Sequence, residues 1–191
     1  MTDFSFYFTE GWKHIISTDA LDHQLFILAL AVVYTFSDWK KVLILVTAFT
    51  IGHSLTLALS VLNLIRVPSA WVEFLIPLTI VLTALWNLIY GKPSKKVNVN
   101  YFLALFFGLI HGLGFANTIR MMLASDQSFG WGLFGFNLGL EAGQVVVVLL
   151  ILLLGKLLLD IIKIPQRIYI FVVSLAVFAF AAKMAIDRIP I

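Results

Sequence analysis

The chain contains no cysteine. That removes disulfides, thiolate metal sites and cysteine nucleophiles, and it leaves the compartment open. Charge is also scarce. Asp, Glu, Lys and Arg make up 12% of the residues, against roughly 25% in a soluble domain. The formal net charge of +3 is spread over short loops. It therefore bears on topology, and no nucleic-acid partner is expected. The opening stretch MTDFSFYFTEGWKH lacks the basic start and the small-residue cleavage site of a signal peptide. No low-complexity segment and no second domain is visible.

What the chain has is apolar sequence. It is 61% hydrophobic, with mean hydropathy +1.03. The apolar runs are continuous rather than alternating, which favours helices over a barrel. The expected fold is all-α: one polytopic transmembrane helical bundle over residues 1–191 with about six spans. These are placed at 19–36, 41–64, 68–90, 101–123, 130–159 and 165–186, with a longer first helix from near Glu10 as an alternative. The breaks SDWKK, IRVPS, GKPSKKVNVN, ASDQSFG and DIIKIPQR are short.

Basic residues orient such a bundle. With the N-terminus outside, Lys40, Lys41, Lys92, Lys95, Lys96, Lys156, Lys163 and Arg167 fall on the inner side. Lys13, Arg66, Arg120, Lys183 and Arg188 fall on the outer side. Both termini are thus expected to be extracytoplasmic. Of the acids, only Asp38 and Asp160 fall in inner loops. An acidic outer mouth would concentrate cations.

An ionisable residue at membrane depth is costly and marks a functional site by default. His53 lies about twelve residues into its span and His111 about ten, so both sit near the midplane. Their surroundings are alike, Phe49-x-x-x-His53-x-Leu55 and Phe107-x-x-x-His111-x-Leu113. For one such histidine, a hydrogen bond to a neighbouring helix is an adequate explanation. For two at matched depth with carboxylates nearby, a shared site is the better one. Asp19, Asp22 and His23 occupy i, i+3 and i+4, one helix face suited to a divalent cation. The competing reading is an interfacial helix start, with Thr18 or Asp19 as the cap. Asn137, Glu141 and Gln144 form a polar stripe at i, i+4 and i+7. Gly135, Gly139 and Gly143 form a small-residue ridge for close helix approach, as do Gly108 and Gly112 around His111. Glu73 and Asn87 are weaker candidates.

The ligand pool for a nickel, zinc, cobalt or iron ion is therefore His23, Asp22, His53, His111 and Glu141. Behind it stand His14, Asp19, Asn137 and Gln144. Cu(I) is disfavoured, because the chain has no Cys and only one clustered Met pair, Met121-Met122. Ser54 adjoins His53, but neighbours on a helix do not face each other, so a serine triad is not expected.

Four stretches resemble the HupE/UreJ family in order along most of the chain. They are Gly11-Trp-Lys-His14…Asp22-His23-Gln-Leu-Phe, Phe49-Thr50-Ile-Gly-His53-Ser54-Leu-Thr56-Leu, Phe107-Gly-Leu-Ile-His111-Gly-Leu-Gly-Phe-Ala and Phe136-Asn137-x-Gly-x-Glu141-x-Gly-Gln144. One departure is that His14 precedes Asp22 by eight positions, more than in many members. The resemblance implies a bacterial inner-membrane protein that moves nickel or a related divalent metal. In that reading Asp19, Asp22 and His23 capture the ion at the outer mouth, and His53, His111 and Glu141 hold it near the midplane. The alternative is a membrane-embedded, hydrolase-like metalloenzyme using the same ligands. A third reading is an accessory subunit with a structural metal. The inner halves of the spans, VLILVTAF, YFLALFF and VVVVLLILLL, offer no polar exit. The expected partners are a metal ion and membrane lipid, and a homo-oligomer is left open.

Overall fold

The computed structural model describes residues 3–92, 97–123 and 129–190. Among these, seven α-helices account for nearly all the structure: α1 (Asp3–Ile16), α2 (Leu21–Ala31), α3 (Trp39–Val61), α4 (Ser69–Tyr90), α5 (Val97–Leu123), α6 (Phe129–Lys156) and α7 (Gln166–Asp187). One π turn, Leu157–Ile161, extends α6. No strand occurs among the described residues.

Local chemistry explains the boundaries. Thr35 and Asp38 form a reciprocal capping box just before α3, with Thr35 Oγ1 donating to Asp38 Oδ2 at 3.0 Å. Pro68 and Pro165 stand immediately before α4 and α7, where a missing N–H costs nothing. Gly91 ends α4 at φ 58°, and its N–H reaches Asn87 O at 2.8 Å.

Contacts fix the helix directions. Phe4 lies against Gly135, Phe8 against Gly139 and Ile15 against Gly143, so α1 and α6 are parallel. Phe49 lies against Gly108 and His53 against Gly112, so α3 and α5 are parallel as well. A methyl group on Gly11, Gly52, Gly108, Gly112 or Gly139 would overlap backbone of the facing helix. Only glycine permits these approaches, as in small-residue membrane packing. α6 runs against α3, since Lys156 at the end of α6 stands over the Phe36 ring just before α3, while Glu141 meets Thr47 farther along α3. α4 runs against α5, since Ile76 meets Gly114 and Thr79 meets His111. One face of the bundle thus carries the starts of α1, α4 and α6. The opposite face carries the starts of α3 and α5, where Tyr34 meets Asn100.

Among the described residues, four segments are long and apolar enough to cross a membrane: Phe36–Val61, Ser69–Tyr90, Gly130–Ile161 and Gln166–Asp187. They match the second, third, fifth and sixth expected spans. α5 has 27 residues, of which Asn100–Ala116 is the apolar part. The first expected span, 19–36, is corrected. The chain does not form one helix there, nor a continuous one from Glu10. α1 ends at Ile16, a single turn covers Thr18–Ala20, and α2 has only 11 residues. At about 1.5 Å per residue that is about 17 Å, roughly half of a 30 Å hydrocarbon core. α1 adds about 21 Å by the same rise. The break has an internal partner: Gln24 Nε2 donates to the carbonyls of Ile15 and Ser17, each at 3.0 Å. Those carbonyls end α1 and would otherwise lack a helical partner.

Candidate metal centre

Five elements meet beside the break in the first span. His14 comes from the last turn of α1, and Asp22 and His23 from the first turn of α2. His53 comes from α3, His111 from α5 and Thr79 from α4. The break is what allows this. A continuous helix could not turn both His14 and His23 toward α3, because nine residues make two and a half turns.

His14, His23 and His53 each offer a ring nitrogen within 4.8 Å of the others. An ion held at about 2.1 Å by each nitrogen needs them about 3.4 Å apart, so small rotamer shifts close the site. His111 lies outside that closest set, with its ring centroid 5.2 Å from that of His23. His53 and His111 have no exposed surface, and His23 is 4% exposed.

Hydrogen bonds set which nitrogen each ring presents. Asp22 Oδ1 is 3.0 Å from His23 Nδ1 and accepts the backbone N–H of His23 at 2.8 Å. A carboxylate can only accept, so Nδ1 carries the proton and the Nε2 lone pair faces the cluster. Thr79 Oγ1 donates its one proton to Ile76 O at 2.7 Å and lies 3.1 Å from His111 Nε2. The pairing that satisfies both makes Nε2–H the donor and leaves the His111 Nδ1 lone pair free. Holding a ligand imidazole by its other nitrogen is how metal sites fix ring orientation.

The remaining nitrogens are the telling feature. His14 Nε2, His23 Nε2, both ring nitrogens of His53 and His111 Nδ1 are buried with no protein partner. One buried unmet polar group costs about 1–3 kcal/mol. Five sum to about 5–15 kcal/mol, as much as the net stability of a whole domain. A cation among the nitrogens of His14, His23 and His53 satisfies their lone pairs together, with His111 beside them. The donor set is imidazole with one carboxylate behind it, which suits a borderline metal.

Asp22 has a second neighbour, Arg188 at the end of α7, with Nη1 3.9 Å from Oδ2. On the side toward the α3 and α5 starts, Phe26, Phe49 and Phe107 floor the cluster. Phe26 lies 4.8 Å from Phe49 and 5.9 Å from Phe107, and Phe49 lies 5.0 Å from His111, between ring centroids.

The other predicted residues stand elsewhere. Glu141 is not in the histidine cluster: Thr47 Oγ1 donates to its Oε1 at 2.7 Å across the α3–α6 interface. Gln144 pairs with Thr50, and Asn137 Nδ2 donates to Leu133 O at 3.0 Å. The side chain of Asp19 lies outside the described residues. Asn87 ties α4 to α2 through Ala29 O at 2.6 Å. Glu73 lines a 210 Å³ cavity with Arg66, Ser60 and Gly114, one turn from His111 on α5. Sequence reasoning missed Thr79 and Arg188. A hydroxyl in the apolar run LIPLTIVLTALW, which holds Thr79 and Thr83, was the available signal for Thr79. Arg188 had none, since only tertiary packing returns the end of α7 to Asp22.

Comparison with curated proteins and with solved structures found no match. Residues 1–188 match the family model described as HupE / UreJ protein. The expected resemblance thus extends over almost the full chain, and the protein belongs to the HupE/UreJ family.

Proposed function

We propose that this chain is a divalent transition-metal permease of the nickel type, with the ion held by His14, His23, His53 and His111. The observation that carries the reading is the set of buried, unpartnered imidazole nitrogens on these residues. Asp22 orients His23 and offsets the charge of the ion. Membership of a family associated with metal movement agrees with it. Nickel, cobalt, zinc and iron(II) all accept imidazole nitrogen, so the ligands select this class of ion rather than one member.

In this reading six crossings stand in a bacterial inner membrane, with both termini outside. The first is the two-piece α1–α2 and the fourth is α5. Discontinuous spans are a recurrent way to place ligands at mid-membrane, because the broken ends supply side chains where a continuous helix cannot. The ion enters from the α1-start face, where the Glu73-lined cavity comes within a turn of His111. It waits above the Phe26–Phe49–Phe107 floor. Protonation of the imidazoles, or movement of the floor, releases it inward. The same floor lends support to a second reading, a membrane-embedded hydrolase-like enzyme with a fixed metal, since a closed inner side suits a site that never empties inward.

Proteoliposomes loaded with a metal-sensitive dye separate the two. Nickel, cobalt or zinc influx that His53→Ala abolishes is the expected result. A stoichiometric metal that resists dialysis, with no influx of any divalent ion, overturns the permease reading.

A further inference from the structure

A second polar cluster lies between α3 and α6, away from the histidines. A groove of about 510 Å³ runs there from Ala58 and Gly130 down to Thr47 and Glu141. Its walls are mainly apolar, with Thr50, Ser54 and Asn137 as the polar members between its ends. At about 30 Å³ per water, that volume has room for a partly hydrated ion beside the carboxylate.

The cluster has more acceptors than donors. Glu141 forms no ion pair among the described residues, and its hydrogen-bond partner is the Thr47 hydroxyl. Asn137 spends its amide N–H on Leu133 O, and its buried Oδ1 has no partner. Thr50 Oγ1 lies 3.1 Å from Val46 O and 2.7 Å from Gln144 Oε1, with Gln144 Nε2 buried and unmet, but the hydroxyl has one proton. Giving that proton to Val46 O lets Gln144 donate through its NH2, once its amide is flipped. That orientation gives the Gln144 NH2 its partner and leaves the buried Gln144 oxygen unmet. Gln144 has no exposed surface. Two unmet carbonyl oxygens then flank the carboxylate, one turn away on each side of the same α6 stripe. An uncompensated carboxylate at membrane depth is costly, and this surplus of oxygen lone pairs calls for a cation.

We infer that the α3–α6 groove ending at Glu141 is a second cation site, built for a hard monovalent cation of the sodium class. The donors are all oxygen and carry one formal negative charge. That set favours a hard ion over nickel, which the imidazoles favour. α3 bears both Thr50 and His53, one turn apart, so occupation of the groove bears on the helix that carries a histidine ligand. The inference stands on the groove alone and does not require the permease reading.

Equilibrium binding of radiolabelled sodium to the purified protein in nanodiscs tests it, with choline holding ionic strength constant. Nickel retention is measured on the same samples. Saturable sodium binding is expected for the unaltered protein and for His53→Ala. Glu141→Gln should lose at least about ten-fold in sodium affinity while retaining nickel, and Thr47→Val should weaken sodium binding without disturbing folding. Absence of saturable sodium binding in the unaltered protein overturns the inference, a proton-only site included. So does sodium binding that survives Glu141→Gln, or that is lost with His53→Ala.

Discussion

Asp22 grips His23 twice: one carboxylate oxygen sits 3.0 Å from the ring Nδ1 and 2.8 Å from the backbone N–H of the same residue. Adjacent residues on a helix do not normally face each other. They do here because the pair opens α2, where first-turn N–H groups have no helical acceptor. Asp22 therefore meets a first-turn N–H of α2 that lacks a helical acceptor and also orients an imidazole.

Asp22→Asn should weaken metal retention by about 10–100-fold, the usual effect of losing a ligand's supporting hydrogen bond. The variant should remain folded, since an amide oxygen can still accept that first-turn N–H. Isothermal titration with nickel in detergent measures the change. Unchanged affinity would remove Asp22 from the site.

Metal retention should fall with pH. Each imidazole binds metal only when its lone pair is free, so protons compete with the ion. The sign follows: binding is complete at high pH and is lost as pH falls. Retained metal per chain after rapid desalting reads this out. Retention that does not decline at any acid pH at which the protein stays folded would contradict imidazole ligation.

The glycine seams should be strict. A side chain on Gly139 meets the Phe8 carbonyl, which is backbone and cannot step aside. Gly139→Val is expected to lower stability by about 1–3 kcal/mol, the typical penalty of overpacking, and to displace α1 together with His14. Gly130 has open space around its Cβ direction, so Gly130→Ala should be silent. Thermal unfolding in detergent, paired with nickel retention, distinguishes the two. Equal midpoints would contradict the packing argument.

Topology follows from the basic loops. Single cysteines at Ser37, before α3, and at Ser69, at the start of α4, lie at opposite faces and are both exposed. The chain has no native cysteine to interfere. A membrane-impermeant maleimide should label Ser69→Cys in intact cells and Ser37→Cys only after lysis. The reverse pattern would invert the bundle.

Much of this protein is determined by sequence alone. Continuous apolar runs dictate helices that satisfy their own backbone, because a bilayer offers no other partner. The same runs make any buried histidine conspicuous, so His23, His53 and His111 are identifiable one by one. Glycine at intervals of four marks the seams, since only glycine lets two backbones approach. What the sequence could not decide is which polar residues share a centre. Asn137, Glu141 and Gln144 lie at the same general depth as the histidines, and linear spacing does not tell which side of α6 faces which neighbour. Packing decided that: the Gly135–Gly139–Gly143 ridge turns toward α1 and carries the polar stripe toward α3. The break after Ile16 was half visible, since Ser17, Thr18 and Asp19 are cap residues, but the sequence did not show that both pieces serve one site. It exists because Gln24 satisfies the freed carbonyls, a contact made only once the chain has folded back on itself. That break brings His14 and His23 together, and it is why the centre has a geometry that no single helix could supply.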